Sequence, residues 1–155
     1  MKHLNDYIIE KLRINKDIDV EQYTVKPKTK QQLREILKER LKDDKNANLN
    51  DIDVSNITDM DNIFAGLNAR NIDVSQWDVS NVTDMAQMFC NCRKFNCDLS
   101  KWDVSKVKRF SGMFYNCEEF NCDLSNWNVT CKQDSMHDMF FMCISLKNIP
   151  RWYKG

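Results

Sequence analysis

Apolar positions recur along the chain with a period of 25 residues. The phrase "FNCDLSKWDVS" at 95–105 returns as "FNCDLSNWNVT" at 120–130. A unit of this size cannot bury its own apolar side, so several such units are expected to pack one upon another. The most regular column is filled by Ile52, Trp77, Trp102, Trp127 and Trp152. Four imperfect units are predicted, at about 52–76, 77–101, 102–126 and 127–152.

Each unit contains two kinds of hydrophobic pattern. In "CDLSKW", Cys97 and Leu99 alternate with polar residues, which predicts a short half-buried strand. In "VTDMAQMF", apolar residues recur at helical spacing from Val82 to Phe89, which predicts one or two helical turns. Pairing of the strands would give an α/β solenoid, a short leucine-rich-repeat-like array with a narrow parallel sheet. Residues 48–155 are assigned to this array.

Residues 1–47 are predicted to form an N-terminal helix–strand–helix cap. The phrase "LNDYIIEKLRI" has helical spacing, and "VEQYTV" at 20–25 alternates like a strand. Thr29 and Gln32 form a capping-box pattern before the apolar stripe of a second helix. That stripe consists of Leu33, Ile36, Leu37 and Leu41. Such a unit would cover the open first edge of the array, and "IPRWYKG" is predicted to close the other end.

The phrases "WDVSNVTDMAQMF" and "DLSKWDVSKVKRFSGMF" resemble the BspA-like leucine-rich repeat family. The resemblance covers about residues 48–152. It implies a curved solenoid that binds proteins or ligands, often on cell surfaces and in gut bacteria and their phages. The chain departs from that family in two ways: it shows no export signal, and Cys97 and Cys122 stand where a small residue is commoner.

Charge and hydropathy narrow the classes of protein. Lys plus Arg and Asp plus Glu number 23 each, so no whole-chain field attracts nucleic acid. Basic residues near the second helix alternate with Glu35 and Glu39, as on a solvated face. No apolar run is long enough to span a membrane. Asp6 and Glu10 interrupt the stretch where a signal peptide would need apolar residues, so a cytoplasmic location is expected, and surface display is implied only by the resemblance. A monomer is expected as well.

Seven cysteines leave three interpretations open. Cys92, Cys97, Cys117 and Cys122 could be zinc ligands, disulfide partners or buried free thiols. We favour buried thiols, because these cysteines lie in columns that repeat with all the others. No metal and no cofactor is therefore predicted.

Aspartates form two further columns. Turn hydrogen bonds to the backbone are expected for Asp53, Asp78 and Asp103. The column of Asp73, Asp98 and Asp123 is expected to point outward and to line a partner-binding surface. The full predicted surface comprises Asp73, Ser75, Gln76, Asp98, Ser100, Lys101, Asp123, Ser125 and Asn126.

Catalysis is not predicted, since His137 has no nucleophile at a fixed spacing and no phosphate loop or dinucleotide fingerprint occurs. The sequence favours a non-enzymatic scaffold that binds a protein partner through its strand face. One alternative is a phage-encoded inhibitor that sequesters a host defence protein. Another is a thiol- or metal-responsive protein.

Overall fold

The computed structural model describes residues 25–155. This range contains one α-helix, α1 (Lys30–Asp43), and one short 3-10 helix at Gln133–Ser135. The remaining described residues form turns joined by four isolated parallel bridges, with no β-strand among them. The predicted α/β solenoid with a narrow parallel sheet is therefore wrong. The leucine-rich-repeat description fails with it, because no strand lines one face of the repeats.

The helix α1 begins and packs as the sequence indicates. The Thr29 hydroxyl accepts a hydrogen bond of 3.2 Å from the N–H of Gln32. The predicted N-cap at Thr29 is therefore confirmed. The Gln32 side chain accepts a hydrogen bond of 2.8 Å from the N–H of Lys28, one residue before the donor that a capping box would use. The apolar stripe is buried in the same cluster as the repeats: Leu33, Leu37 and Leu41 fully, and Ile36 in part. The division at residue 47 remains a prediction, and the helix and strand proposed before residue 25 lie outside the described residues.

The 25-residue units lie directly upon one another. Their phenylalanines form a continuous stack, with ring centroids 5.2 Å apart for Phe64 and Phe89 and 5.7 Å apart for Phe89 and Phe114. The last ring, Phe140, continues the stack at 5.7 Å. Beside the stack, each tryptophan indole N–H donates to a carbonyl 28 residues earlier; the acceptors are Leu49, Val74, Leu99 and Leu124. Matching residues therefore touch along the whole stack.

Asx turns explain why the predicted strands do not form. The Asp98 carboxylate accepts a hydrogen bond of 2.9 Å from the N–H of Ser100, and the N–H of Trp102 then donates to the carbonyl of Leu99. These bonds bend the chain at the place where a strand would have to stay extended. The predicted alternation of burial is observed, because Cys97 and Leu99 are buried and Asp98 is exposed. The backbone, however, forms a turn at these residues and does not pair as a strand.

Residues with positive φ explain why the predicted helical turns do not form. Gln87 (φ 53°) and Asn91 (φ 65°) lie in the left-handed region, within and just beyond the phrase that has helical spacing. Their N–H groups donate to carbonyls of the following unit, at 2.8 Å in both cases. An α-helix would need negative φ and bonds four residues back. The two left-handed columns are Asn62, Gln87, Gly112 and Asp138, and Gly66, Asn91, Asn116 and Met142.

Arg34 of α1 covers the first unit of the stack. Its guanidinium donates to the carbonyls of Asn62, Ile63 and Ala65 at 2.8, 2.9 and 2.6 Å. Later in the stack, a carbonyl at the position of Ile63 receives a backbone N–H from the preceding unit, as Met113 does from Phe89. The arginine thus supplies the donors that a preceding unit would supply.

Candidate functional site

The nine predicted partner-binding residues lie on three successive Asx turns, and we call the surface they form the turn face. The carboxylates of Asp73, Asp98 and Asp123 each accept the N–H of the serine two residues later, at 3.0, 2.9 and 2.9 Å. Because the turn repeats every 25 residues, it presents an aspartate and a serine three times on one side of the stack, each followed by a different polar residue.

The members of the turn face differ in exposure. Asp98, Lys101, Asp123 and Asn126 are exposed, as are Gln76 and Ser125, whereas Asp73, Ser75 and Ser100 are half-buried. The N–H of Gln76 also donates to the Asn50 side chain at 2.9 Å. The second and third turns therefore offer more accessible polar surface than the first turn does.

Both aspartate columns make Asx turns. The carboxylates of Asp53, Asp78 and Asp103 accept serine N–H groups at 3.0, 3.1 and 3.0 Å, which confirms the turn bonds predicted for that column. The same bonds in the Asp73, Asp98 and Asp123 column were not predicted. The spacing Asp-x-Ser, which both columns share, was the available signal.

Hydrogen bonds lower the pKa of the turn-face carboxylates. The backbone N–H of Ser100 lowers the pKa of Asp98 most, and the Ser100 side chain adds to it. For Asp123 the Ser125 side chain and then its N–H lower the pKa. Burial raises the pKa of Asp73, but bonds from Ser75 and Asn50 outweigh it, so that pKa too is lowered. All three carboxylates are consequently charged at neutral pH.

Two thiols connect the turns of neighbouring units. The Cys122 thiol donates to the Asp98 carboxylate at 3.6 Å, and its sulfur accepts the N–H of Leu99 at 3.3 Å. Cys97 makes the equivalent contacts with Asp73 at 3.6 Å and with the N–H of Val74 at 3.5 Å. These weak bonds give the two cysteines a role in joining units, beyond the apolar packing that the sequence indicates.

An open groove of about 340 Å³ lies between the second and third turns of the turn face. It is lined by Asn96, Cys97, Asp98, Ser100, Cys122 and Asp123. Three of the predicted residues, Asp98, Ser100 and Asp123, thus border one concavity. Cys97, Cys122 and Asn96 belong to it as well, although the sequence prediction did not include them in the surface.

All seven cysteines are free thiols in this structure. Burial raises the pKa of Cys92 and Cys97 to about 12, and that of Cys122 and Cys143 to about 11. Burial also raises the pKa of Cys117 well above its ordinary value. Thiols held in the protonated form are poor nucleophiles and poor metal ligands. Within residues 25–155, no three His, Cys, Asp or Glu side chains converge in a way that would hold a metal ion.

His137 has a neighbour that its sequence position does not reveal. Its Nδ1 lies 3.1 Å from the Ser111 hydroxyl oxygen of the preceding unit and 3.2 Å from the Asp134 carbonyl. One ring nitrogen cannot both accept a proton from Ser111 and donate one to Asp134. The described hydrogen bonds place no carboxylate on the other ring nitrogen, so the pair lacks the orienting group of a catalytic triad.

No helix in the part of the chain described by the structure is long and apolar enough to cross a membrane.

The fold defines a class: 25-residue repeats stacked through Asx turns and left-handed residues, behind a helix. A family model described as "Mycoplasma protein of unknown function, DUF285" matches residues 31–152, and the chain belongs to that family. No curated protein and no solved structure matches the chain.

Proposed function

We propose that the chain is a non-enzymatic module that binds a protein partner through the turn face. The observation that carries this proposal is the groove bordered by Asp98 and Asp123, where two exposed carboxylates point outward from successive units. Their regular repetition suits a partner whose polar or basic groups recur at similar spacing. Stacked repeats commonly offer such extended surfaces.

Charge also supports the proposal. Residues 52–126 contain 11 acidic and 7 basic residues, so the units that carry the turn face are net negative. Such a field speeds the approach of a basic partner and opposes that of nucleic acid. The likeness of "WDVSNVT" to BspA-like repeats points the same way, because that resemblance implies protein or ligand binding. The likeness concerns the repeat letters and not a strand-lined fold.

The test removes charge from the turn face without breaking its turns. Asn48 stands one repeat before Asp73 and accepts the N–H of Asn50 at 2.9 Å, so asparagine forms the same turn in this chain. The double variant D98N/D123N should therefore stay folded while losing two charges. The matched control is D78N/D103N, which removes two charges from the other Asx column.

Partners would be captured with each immobilised protein from a bacterial lysate and from a cell-surface fraction, and identified by mass spectrometry. We expect a protein that binds the wild type and D78N/D103N, and that binds D98N/D123N at least about tenfold more weakly. Equal capture by both variants would remove the turn face from the interface. Absence of any captured protein from both the lysate and a cell-surface fraction would contradict the binding function itself.

A further inference from the structure

The last unit of the stack carries apolar side chains where the earlier units carry polar ones. Phe141, Met142 and Ile144 are 52%, 49% and 74% exposed. At the position of Met142 the two preceding units have Asn116 and Asn91. At the position of Ile144, the preceding units carry Glu118, Arg93 and Asn68. Together with Ile149, these are the large hydrophobic residues exposed among residues 25–155, so the apolar surface is concentrated at one end.

The same end leaves backbone donors open. In the unit before it, the N–H groups of Gly112 and Asn116 donate to the carbonyls of His137 and Phe141, at 2.9 and 2.8 Å. The equivalent residues of the last unit are Asp138 and Met142, both with positive φ. Their N–H groups have no acceptor in the described part of the chain. An occupant of this end would have to bring acceptors.

The C-terminal phrase "IPRWYKG" closes this end only in part. Trp152 stacks on Trp127 at 6.2 Å, and the Tyr153 ring contacts Phe140 edge-on at 5.0 Å. These two aromatic rings cover the core beside Phe140 and leave Phe141, Met142 and Ile144 exposed. The predicted closure therefore holds for the core but not for the edge formed by Asp138 to Ile144.

Charge changes sign at this end of the stack. Residues 127–155 contain four basic and two acidic residues, whereas residues 52–126 are net negative. The basic residues Lys132, Lys147, Arg151 and Lys154 outnumber the acidic residues Asp134 and Asp138, which leaves a net charge of +2. Positive charge, open N–H donors and apolar side chains together favour an occupant with negative charge, acceptor oxygens and apolar side chains.

A second copy of this chain does not fit those requirements. Two such ends facing each other would place donors against donors and positive charge against positive charge. Stacking this end on the first unit of another copy is blocked as well, because Arg34 already occupies the carbonyls of Ile63 and Ala65. Continuation of the stack by self-association would require α1 to leave its place.

We propose that the surface formed by the backbone N–H of Asp138 and by Phe141, Met142 and Ile144 binds an acidic protein segment that carries apolar side chains. Its carbonyl or carboxylate oxygens would accept the N–H groups of Asp138 and Met142, and its apolar side chains would cover Phe141 and Ile144. This surface lies at the end of the stack, apart from the turn face, and its partner need not be the same protein.

The test uses two fluorescent peptides with identical leucine and phenylalanine residues, one with glutamates and the other with lysines between them. In the second unit, Asn91 and Arg93 occupy the positions that Met142 and Ile144 occupy in the last unit. The variant M142N/I144R therefore places residues at these positions that the repeat already accommodates, and folding should be preserved. We expect the wild type to bind the glutamate peptide at least about tenfold more tightly than the lysine peptide. The variant should lose that binding, as measured by fluorescence anisotropy, with an unchanged circular dichroism spectrum.

Three binding results would overturn the proposal. The first is that the wild type binds both peptides with equal affinity. The second is that M142N/I144R binds the glutamate peptide as tightly as the wild type does. The third is that the wild type does not bind the glutamate peptide at about 1 mM protein. Sedimentation of the wild type should show a monomer. A dimer that M142N/I144R dissociates would instead assign this surface to self-association. The variant D98N/D123N should bind the glutamate peptide normally, which separates this test from that of the turn face.

Discussion

The indole N–H of Trp102 donates a hydrogen bond of 3.2 Å to the carbonyl of Val74, 28 residues earlier in the chain. The same carbonyl also accepts the N–H of Trp77, at 3.1 Å. One backbone oxygen therefore closes the turn of its own unit and anchors the aromatic residue of the next. The stack is held together at such shared acceptors as well as by the phenylalanine rings.

Replacement of Trp102 should separate the packing contribution from the hydrogen bond. Trp102→Ala removes a buried side chain that contacts Phe89 with ring centroids 6.2 Å apart, and should cost about 3–5 kcal/mol of unfolding free energy. Trp102→Phe keeps one aromatic ring but loses the N–H donor and the rest of the indole, and Val74 still binds Trp77, so a smaller cost of about 1–2 kcal/mol is expected. Urea unfolding measures both. Similar losses for the two variants would contradict a packing-dominated role.

Arg34 should contribute more to stability than its neighbour Arg40 on the same helix. Arg34 donates to three carbonyls of the first unit, and removing it leaves those acceptors without their charged donor, so Arg34→Ala should cost about 2–3 kcal/mol. Arg40 pairs with Asp51 at 2.6 Å near the surface, and Arg40→Ala should cost under about 1 kcal/mol.

Lysine at position 34 supplies a further control for this prediction. It keeps the charge but lacks the planar fork of donors, so Arg34→Lys should recover only part of the stability. Full recovery by lysine would mean that charge alone matters. Equal losses in Arg34→Ala and Arg40→Ala would contradict the capping role assigned to the guanidinium.

The repeat period and the core columns could be predicted from the sequence, and the secondary structure could not. Trp77, Trp102 and Trp127 are buried at the expected 25-residue spacing, and their apolar character and period are visible in the sequence. Alternation at Cys97 and Leu99 also follows from burial, but burial does not distinguish a strand from an Asx turn. The spacing from Val82 to Phe89 likewise matches a helix, while Gln87 at φ 53° breaks the helix.

The candidate site was predictable in part for the same reason. Asp98 and Asp123 were expected at the surface because they lie between apolar columns, and they are exposed. Their bonds to Ser100 and Ser125 are local, and the Asp-x-Ser spacing contains that information. The groove was not predictable, because it depends on the distance between turns of different units. The Cys122 contact with Asp98 depends on the same stacking geometry.

Thiol chemistry should follow burial. Cys92 and Cys97, whose pKa values burial raises to about 12, should react with Ellman's reagent at pH 8 only when the protein is denatured. Cys90 and Cys131 are half-buried and should be the first to react in the native state. Absorbance of the released thiolate follows the time course, and peptide mapping assigns the sites. Immediate reaction of Cys92 and Cys97 would contradict their burial and revive a thiol-responsive function.

Acid should destabilise the stack through its Asx turns. The pKa values of Asp73, Asp98 and Asp123 in the folded protein lie below the ordinary value of 3.8. A lowered folded pKa gives stability that is present above pH 3.8 and lost as the pH falls through the folded pKa. Physically, a protonated carboxyl is a weaker acceptor for the serine N–H groups. The free energy of unfolding should therefore decline below about pH 4.

The triple variant D73N/D98N/D123N tests the origin of that decline. Asparagine keeps the turn, as Asn48 does, but cannot titrate, so the variant should lose less stability than the wild type between about pH 5 and about pH 3. Urea unfolding followed by tryptophan fluorescence measures the pH slope for both proteins. Asp53, Asp103 and their serine bonds remain in the variant, so some dependence should persist. Parallel pH slopes for the two proteins would show that these turns do not carry the acid sensitivity.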